Sequence, residues 1–273
     1  LDIADALSLL GEIENDPSQQ SEWNIMAITG APGVGKSCLV DKIISQWASQ
    51  GKKIALLAVD PSSSRTGGAL LGDRVRLSVV DDIMLKDMVY VRSVATRKSS
   101  SSVPAVVSDM AQLLLALGWN KVVIETVGAG QSEVRCAAIA DRIVVVEGPA
   151  RGDGIQAEKA GLLELADAVI VNKSDIVGAR KHADEIKESF ELGDGQSPPV
   201  LLTCALNGDG CQFASDILLT LQSTGRSSKA RWRERLLSGL EQKILQNPNL
   251  DEILLSLASG YIELDEAINN LNN

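Results

Sequence analysis

The stretch Gly30-Ala31-Pro32-Gly33-Val34-Gly35-Lys36-Ser37 matches the pattern G-x-x-x-x-G-K-[ST] at every fixed position. Ile25, Ala27 and Ile28 before it read as the end of a buried strand. Cys38 to Trp47 after it reads as a helix, because Leu39, Val40, Ile43, Ile44 and Trp47 keep helical spacing. A strand, a glycine-rich turn and a helix in that order make a phosphate-binding loop. Gly30, Gly33 and Gly35 let the backbone curl. The amides from Gly33 through Val34, Gly35, Lys36 and Ser37 to Cys38 can then face phosphate oxygens, under the positive potential of a helix start. Lys36 is expected at the β and γ phosphates, and the Ser37 hydroxyl on magnesium. The pattern predicts a bound nucleoside triphosphate.

With 273 residues, 45% of them hydrophobic, the chain has material for one large α/β domain and a smaller appendage. Its formal net charge of −10 argues against a nucleic-acid partner, whose phosphates such a surface repels. No apolar run approaches the roughly 20 residues that span a bilayer, and no basic segment followed by an apolar one opens the chain. The expectation is a soluble protein without membrane partners, cytoplasmic, or of the mitochondrial matrix if eukaryotic with its targeting segment absent from this chain. Cys38, Cys136, Cys204 and Cys211 form no C-x-x-C pair and His182 is the sole histidine, so neither a disulfide scaffold nor a Cys/His zinc site is expected.

Strand-like runs occur at Ile25 to Thr29, Ile54 to Val59, Val89 to Arg92, Val122 to Glu125, Ile143 to Glu147, Ala168 to Val171 and Val200 to Thr203. Short, continuous Val/Ile/Leu runs of this kind mark strands buried on both faces, hence an α/β fold with a mainly parallel sheet flanked by helices. The segment from Thr96 to Val103, with four consecutive serines, reads as a mobile loop. Beyond about residue 222 the pattern is helical, over Lys229 to Leu245, Leu250 to Ala258 and Leu264 to Leu271, after a linker at Ser223 to Ser228. The expected organisation is an N-terminal helical extension over 1–22, a P-loop domain over 23–222 and a helical appendage over 223–273. That appendage either pairs with a second copy as a homodimer or folds back on its own domain.

Asn172-Lys173-Ser174-Asp175 follows the strand at Ala168 to Val171. An Asn-Lys-x-Asp in that place is the guanine-recognition element of G proteins. The Asp175 carboxylate can accept from both N1–H and the exocyclic amine of guanine, Lys173 can lie over the ring, and Asn172 can tie the loops together. Adenine lacks that pair of donors. Two charge-assisted bonds of about 1.5–3 kcal/mol each would give a preference of ~10²-fold or more. In isolation the four residues read equally as a solvated turn. Cys204-Ala205-Leu206, after the last strand, is where a backbone amide is expected to meet guanine O6. Between the two motifs, Glu125-Thr126-Val127-Gly128 ends a strand in an acid with E-x-x-G spacing. Glu125 there can hold magnesium and the Gly128 amide can sense the γ-phosphate. Asp60, at a strand end on the same sheet edge, and Asp73, in the loop from Gly67 to Arg74, are further magnesium candidates.

Several runs together carry a resemblance to a family. They are Val59-Asp60-Pro61-Ser62-Ser63, the loop from Arg65 to Asp73, Glu125-Thr126-Val127-Gly128-Ala129-Gly130-Gln131-Ser132-Glu133, and Gly152-Asp153 with Gln156. Over roughly residues 20 to 220 the chain resembles the MeaB/ArgK GTPases associated with methylmalonyl-CoA mutase, within the class of signal-recognition and metal-insertion GTPases. The resemblance implies a G-protein chaperone that gates adenosylcobalamin delivery to a cobalamin-dependent acyl-CoA mutase and protects it. It further implies that Asp60, Asp73 and Glu125 serve magnesium and the switches, and that Asp153, Gln156 and Lys159 form a third switch facing the partner. The chain departs from the family at Ser93 to Lys98, in the length before Trp23, and at Arg151, where a small residue is usual.

These readings converge on GTP with Mg2+ as substrate and cofactor, and on water attacking the γ-phosphorus in line to give GDP and phosphate. Lys36 and the loop amides would stabilise the charge that spreads over the transferring group. Gln131 is the candidate for positioning the water, or else a polar helix-start residue bonded to backbone. Slow hydrolysis that a partner accelerates is expected. A metal-insertion GTPase of the same fold class, and a small-molecule kinase or transport-associated ATPase, are the alternatives. The intact Asn172-Lys173-Ser174-Asp175 speaks against the last.

Overall fold

The computed structural model describes residues 22–61, 77–96, 105–126, 135–149, 157–192, 196–225 and 228–272. Its 7-stranded sheet contains β1 (Ile25–Thr29), β2 (Ile54–Pro61), β3 (Val89–Thr96), β4 (Lys121–Thr126), β5 (Arg142–Glu147), β6 (Ala168–Asn172) and β7 (Val200–Thr203). The strand order is β3-β2-β4-β1-β5-β6-β7, and every pairing is parallel. Each run read from the sequence is a strand. β2 and β3 extend past the expected ends at Val59 and Arg92, because their register continues through Asp60↔Ala95 and Pro61↔Thr96. Hydropathy stops where the side chains turn polar, whereas the backbone ladder does not.

The strands carry apolar residues on both faces, and their alternation sorts those residues between two helical layers. Ile25, Ala27, Ile124, Val145 and Val171 face the layer of α2 (Ala105–Ala116), α3 (Ala157–Glu164) and α4 (Ala179–Glu191). Met26, Ile28, Val123, Val144 and Ile170 face α1 (Lys36–Ser49) and α5 (Cys211–Leu219). Two tryptophans, Trp47 of α1 and Trp23 just before β1, are tied to α5. Trp47 Nε1 donates to Ser215 O at 3.0 Å, Trp23 Nε1 donates to Leu218 O at 2.9 Å, and the two rings sit 5.5 Å apart. These carbonyls satisfy the buried indole N–H groups while the rings fill the layer.

At the end of the sheet where β5 and β6 begin, charge is buried instead. Asp141 accepts from the amides of Asn24 (2.7 Å) and Ile25 (2.8 Å), and Asp167 accepts from Ile143 N (2.8 Å). Arg142 donates to Leu221 O (3.0 Å), and Arg231 donates to Ala140 O (2.9 Å) and is ion-paired with Asp167. Burial pushes the carboxyls of Asp141 and Asp167 up from the usual carboxylate range, and pulls Arg142 down from the usual guanidinium value. Beside them Lys121 Nζ donates to Trp23 O and stands 4.7 Å from the Trp23 ring centre. Burial lowers its pKa.

Arg231 belongs to α6 (Ser228–Leu245), so this buried pole fastens the C-terminal helices to the sheet. An ion pair of Glu241 with Arg135, just before the short 3-10 helix at Cys136–Ala138, adds a second attachment. After α6 come α7 (Leu250–Ala258) and α8 (Leu264–Asn272), where Ile253 and Ala267 are buried. Trp232, Leu236, Leu240 and Ile244 of α6 nevertheless stay exposed. The expected extension over 1–22, apart from residue 22, lies outside the described residues, as does the serine run. No helix among the described residues is long and apolar enough to cross a membrane.

Candidate nucleotide site

β1 lies at the centre of the sheet between β4 and β5, and its register pairs Ile28 with Glu125 and Thr29 with Val145. The chain leaving β1 therefore crosses the carboxyl ends of its neighbours, the usual crevice of such sheets. It can do so only as glycine at Gly30. That residue has φ 140°, and a Cβ on it would lie 2.0 Å from Val146 O of β5. Gly35 has φ 92° just before α1, and a Cβ there would come 2.5 Å from Asn172 Nδ2. The loop is thus held closely between β5 and the end of β6.

Lys36 is buried, with Nζ donating to Gly30 O (2.5 Å) and Ala31 O (3.0 Å), so its ammonium is folded over the curl of its own loop. Ser37 Oγ donates to Glu125 Oε1 at 2.7 Å. A hydroxyl and a carboxylate at that separation form a hard-oxygen donor pair of the kind that holds magnesium together with phosphate oxygens. The residues present fit that ion. With Ala58, Leu77 and Ser93, they line a small cleft. Behind it, Thr126 Oγ1 donates to Thr29 Oγ1 at 2.8 Å and binds β4 to β1. Asp60 is the penultimate residue of β2, in register with Ala95, its side chain outside the description. Asp73, Gly128, Gln131, Arg151, Asp153 and Gln156 lie outside the described residues; Lys159 lies in α3, its side chain undescribed.

Asn172 joins the two motifs. Its Nδ2 donates to Val34 O at 2.9 Å, while its Oδ1 accepts from Thr203 Oγ1 (3.1 Å) and Ala205 N (3.0 Å). Lys173 has φ 61°, a left-handed conformation that costs a non-glycine residue on the order of 1–2 kcal/mol. It is held there by Nζ donating to Gly33 O (2.6 Å) and by Ser174 N donating to Thr203 O (2.9 Å). Asp175 is exposed, and its Oδ1 accepts from Cys204 Sγ at 3.1 Å.

Two amides of the Cys204-Ala205-Leu206 segment have partners within the protein. The Cys204 amide donates to Asp209 O (2.8 Å) and the Ala205 amide to Asn172 Oδ1, so these two N–H groups are engaged within the loop. Leu206 is exposed. Cys38 is likewise exposed at the start of α1. Sequence reasoning missed Thr203, Ser93 and the thiol of Cys204. For Thr203 the signal was positional, since it and Asn172 close adjacent parallel strands in register.

The profile of the family described as "Methylmalonyl Co-A mutase-associated GTPase MeaB" matches residues 4–248. The chain belongs to this family. A putative GTPase of Pyrococcus horikoshii is 40% identical over 193 residues, which cover 68% of this chain and 60% of that one. A fused isobutyryl-CoA mutase of Paraburkholderia xenovorans is 38% identical over 190 residues, covering 68% of this chain but 14% of the mutase. The chain spans 56% to 67% of the length of the archaeal and mycobacterial GTPases that it matches. Among solved structures, a LAO/AO transport system kinase shares the fold of this MeaB-family chain. It has a TM-score of 0.59 and 20% identity, covering 98% of this chain and 91% of that one.

Proposed function

We propose that this chain binds guanine nucleotides with magnesium, hydrolyses GTP to GDP and phosphate, and acts as a G-protein chaperone for a cobalamin-dependent acyl-CoA mutase. The observation that carries the nucleotide reading is the seating of Asn172 and Lys173 on the carbonyls of Val34 and Gly33. Those bonds make the base-selecting loop and the phosphate loop one rigid unit, with Asp175 on its open side. In this reading Lys36 and the amides from Gly33 to Cys38 bind the phosphates. Ser37 and Glu125 would hold magnesium, which when bound neutralises charge on the β and γ phosphates. Lys36 then stabilises the charge spreading over the transferring phosphoryl group, and Gln131 is the proposed orienter of the attacking water.

The mutase client is supported by the description of the family and by the relative in which a similar segment is part of an isobutyryl-CoA mutase. The exposed Trp232, Leu236, Leu240 and Ile244 support a homodimer through α6, which sedimentation velocity tests directly. For the nucleotide reading, the decisive measurement is calorimetric titration with GDP and ADP in the presence of magnesium. A GDP preference of at least about 10²-fold is expected, and equal affinities would exclude it. For the client, GTP turnover is measured with and without a cobalamin-dependent acyl-CoA mutase. Acceleration by the mutase is expected, and an unchanged rate together with no co-sedimentation would exclude that client.

A further inference from the structure

α6 packs on the short 3-10 helix at Cys136–Ala138, and the segment from Arg135 to Asp141 runs beneath it in the opposite direction. At one end Arg231, 1% exposed, donates to Ala140 O (2.9 Å) and Asp141 O (3.1 Å) and is ion-paired with Asp167. At the other, about 15 Å further along the helix, Glu241 is ion-paired with Arg135. The two attachments differ in kind. The first lies inside the protein and is tied on to β1, because the Asp141 carboxylate accepts from the amides of Asn24 and Ile25. The second keeps side-chain exposures of 26% and 35%, so water can replace either partner. Between them stands Gly239, an interior residue of the helix at which an added Cβ would meet nothing. Packing does not require a glycine there, and its effect is to weaken the helix between its two attachments. Past Glu241, the described side chains of Lys243, Ile244 and Leu245 are exposed.

Arg135 is also joined to the nucleotide site, since residues 127–134 connect it to Thr126 at the carboxyl end of β4, next to the Glu125 that accepts from Ser37 Oγ. We propose that the C-terminal half of α6 is a lever set by the nucleotide, with Arg231 as its fulcrum, Gly239 as its weak point and the Arg135–Glu241 ion pair as its latch. The latch opens when Gly128 is drawn to a γ-phosphate and Arg135 is pulled with it. Parting one exposed ion pair costs little, whereas moving Arg231 would strand a buried charge. The nucleotide therefore shifts the helix past Gly239 and leaves its beginning in place. Trp232 and Leu236 lie before the weak point, and Leu240 and Ile244 lie after it, all four exposed. Opening the latch thus divides the apolar face, and a partner seated along its whole length would in turn oppose the γ-phosphate contact.

The lever rests on the GTPase reading of the site, and its test separates the two. Binding of GDP and of a non-hydrolysable GTP analogue is measured by calorimetry on the full chain with magnesium, and hydrogen–deuterium exchange is then followed with each nucleotide bound. In the wild type, peptides covering residues 239–245 should exchange about 2- to 5-fold faster with the triphosphate, as expected for the release of an exposed ion pair, while those covering 228–235 hold. Glu241→Gln should exchange at the faster rate with both nucleotides. Exchanging the charges, Arg135→Glu with Glu241→Arg, should restore the dependence on the nucleotide, and Gly239→Ala should reduce it without changing GDP affinity. Exchange that is equal with the two nucleotides, or slower with the triphosphate, would overturn the lever while leaving nucleotide binding intact. So would a nucleotide response that survives Glu241→Gln. A wild type that binds neither nucleotide would overturn the GTPase reading and this inference with it.

Discussion

The two ends of the central sheet use charge in opposite ways. At the carboxyl end, Lys36 donates to Gly30 O and Ala31 O, Glu125 accepts from Ser37 Oγ at the edge of a cleft, and Asp175 is exposed. At the amino end of β5 and β6, Asp141, Arg142, Asp167 and Arg231 are almost wholly buried and linked to one another and to strand amides. The first set is arranged to exchange its partners for those of a ligand. The second set has no such freedom, because a buried charge that loses its partner has no water to replace it. The same residue types therefore serve binding at one pole and the attachment of α6 at the other.

The largest expected effect tests the structural pole. Asp167→Ala leaves the Arg231 guanidinium buried without its counter-charge, and should lower unfolding stability by about 3–5 kcal/mol in urea denaturation. Replacing both residues with apolar ones of similar volume should recover most of that loss. A small effect of the single change would erase the contrast between the poles. At the other end, Lys36→Ala should reduce GTP turnover by about 10²- to 10³-fold in single-turnover measurements, with a much smaller change in urea midpoint. A large loss of stability would mean that the Lys36 bonds to Gly30 and Ala31 hold the fold, not only the loop. Asp175→Asn should weaken GDP by roughly 10- to 100-fold with ADP unaffected, since the amide cannot accept from both donors of guanine.

How much of this was legible in the sequence follows from the range of each interaction. The strands were readable because each is a local Val/Ile/Leu run, and the phosphate loop and Asn172-Lys173-Ser174-Asp175 were readable because their chemistry is written in consecutive residues. Thr203 on Asn172 and Cys204 on Asp175 were not, because they join residues about 30 apart that meet only through the β6–β7 register. The sequence marked Cys204-Ala205-Leu206 only as the place for a backbone amide, since position along the chain cannot tell which side chains the loop turns inward. The attachment of α6 was hidden for another reason. Hydropathy treats an arginine in a helix as a solvent-facing residue, whereas Arg231 is 1% exposed and its helix leaves Trp232 and Leu236 outside.

The smallest effect sharpens the comparison through pH. Asp141 is held by the amides of Asn24 and Ile25, yet burial raises its carboxyl above the ordinary value near 3.8. The folded chain therefore keeps this proton at pH values where the unfolded chain has released it. Over that window folding is coupled to proton uptake, so this group's contribution to stability is present at low pH and declines as pH rises through its folded pKa. Most carboxylates that gain partners on folding contribute with the opposite slope. Asp141→Asn removes the titration but keeps an oxygen that can accept one amide bond. The stability of the wild type minus that of Asp141→Asn, measured by urea unfolding from about pH 4 to pH 7, should therefore fall as pH increases. A difference that rises with pH would show that the strand amides and Arg142 outweigh desolvation. The amino-end pole would then resemble the nucleotide edge, where hydrogen-bond partners and not burial govern the charge.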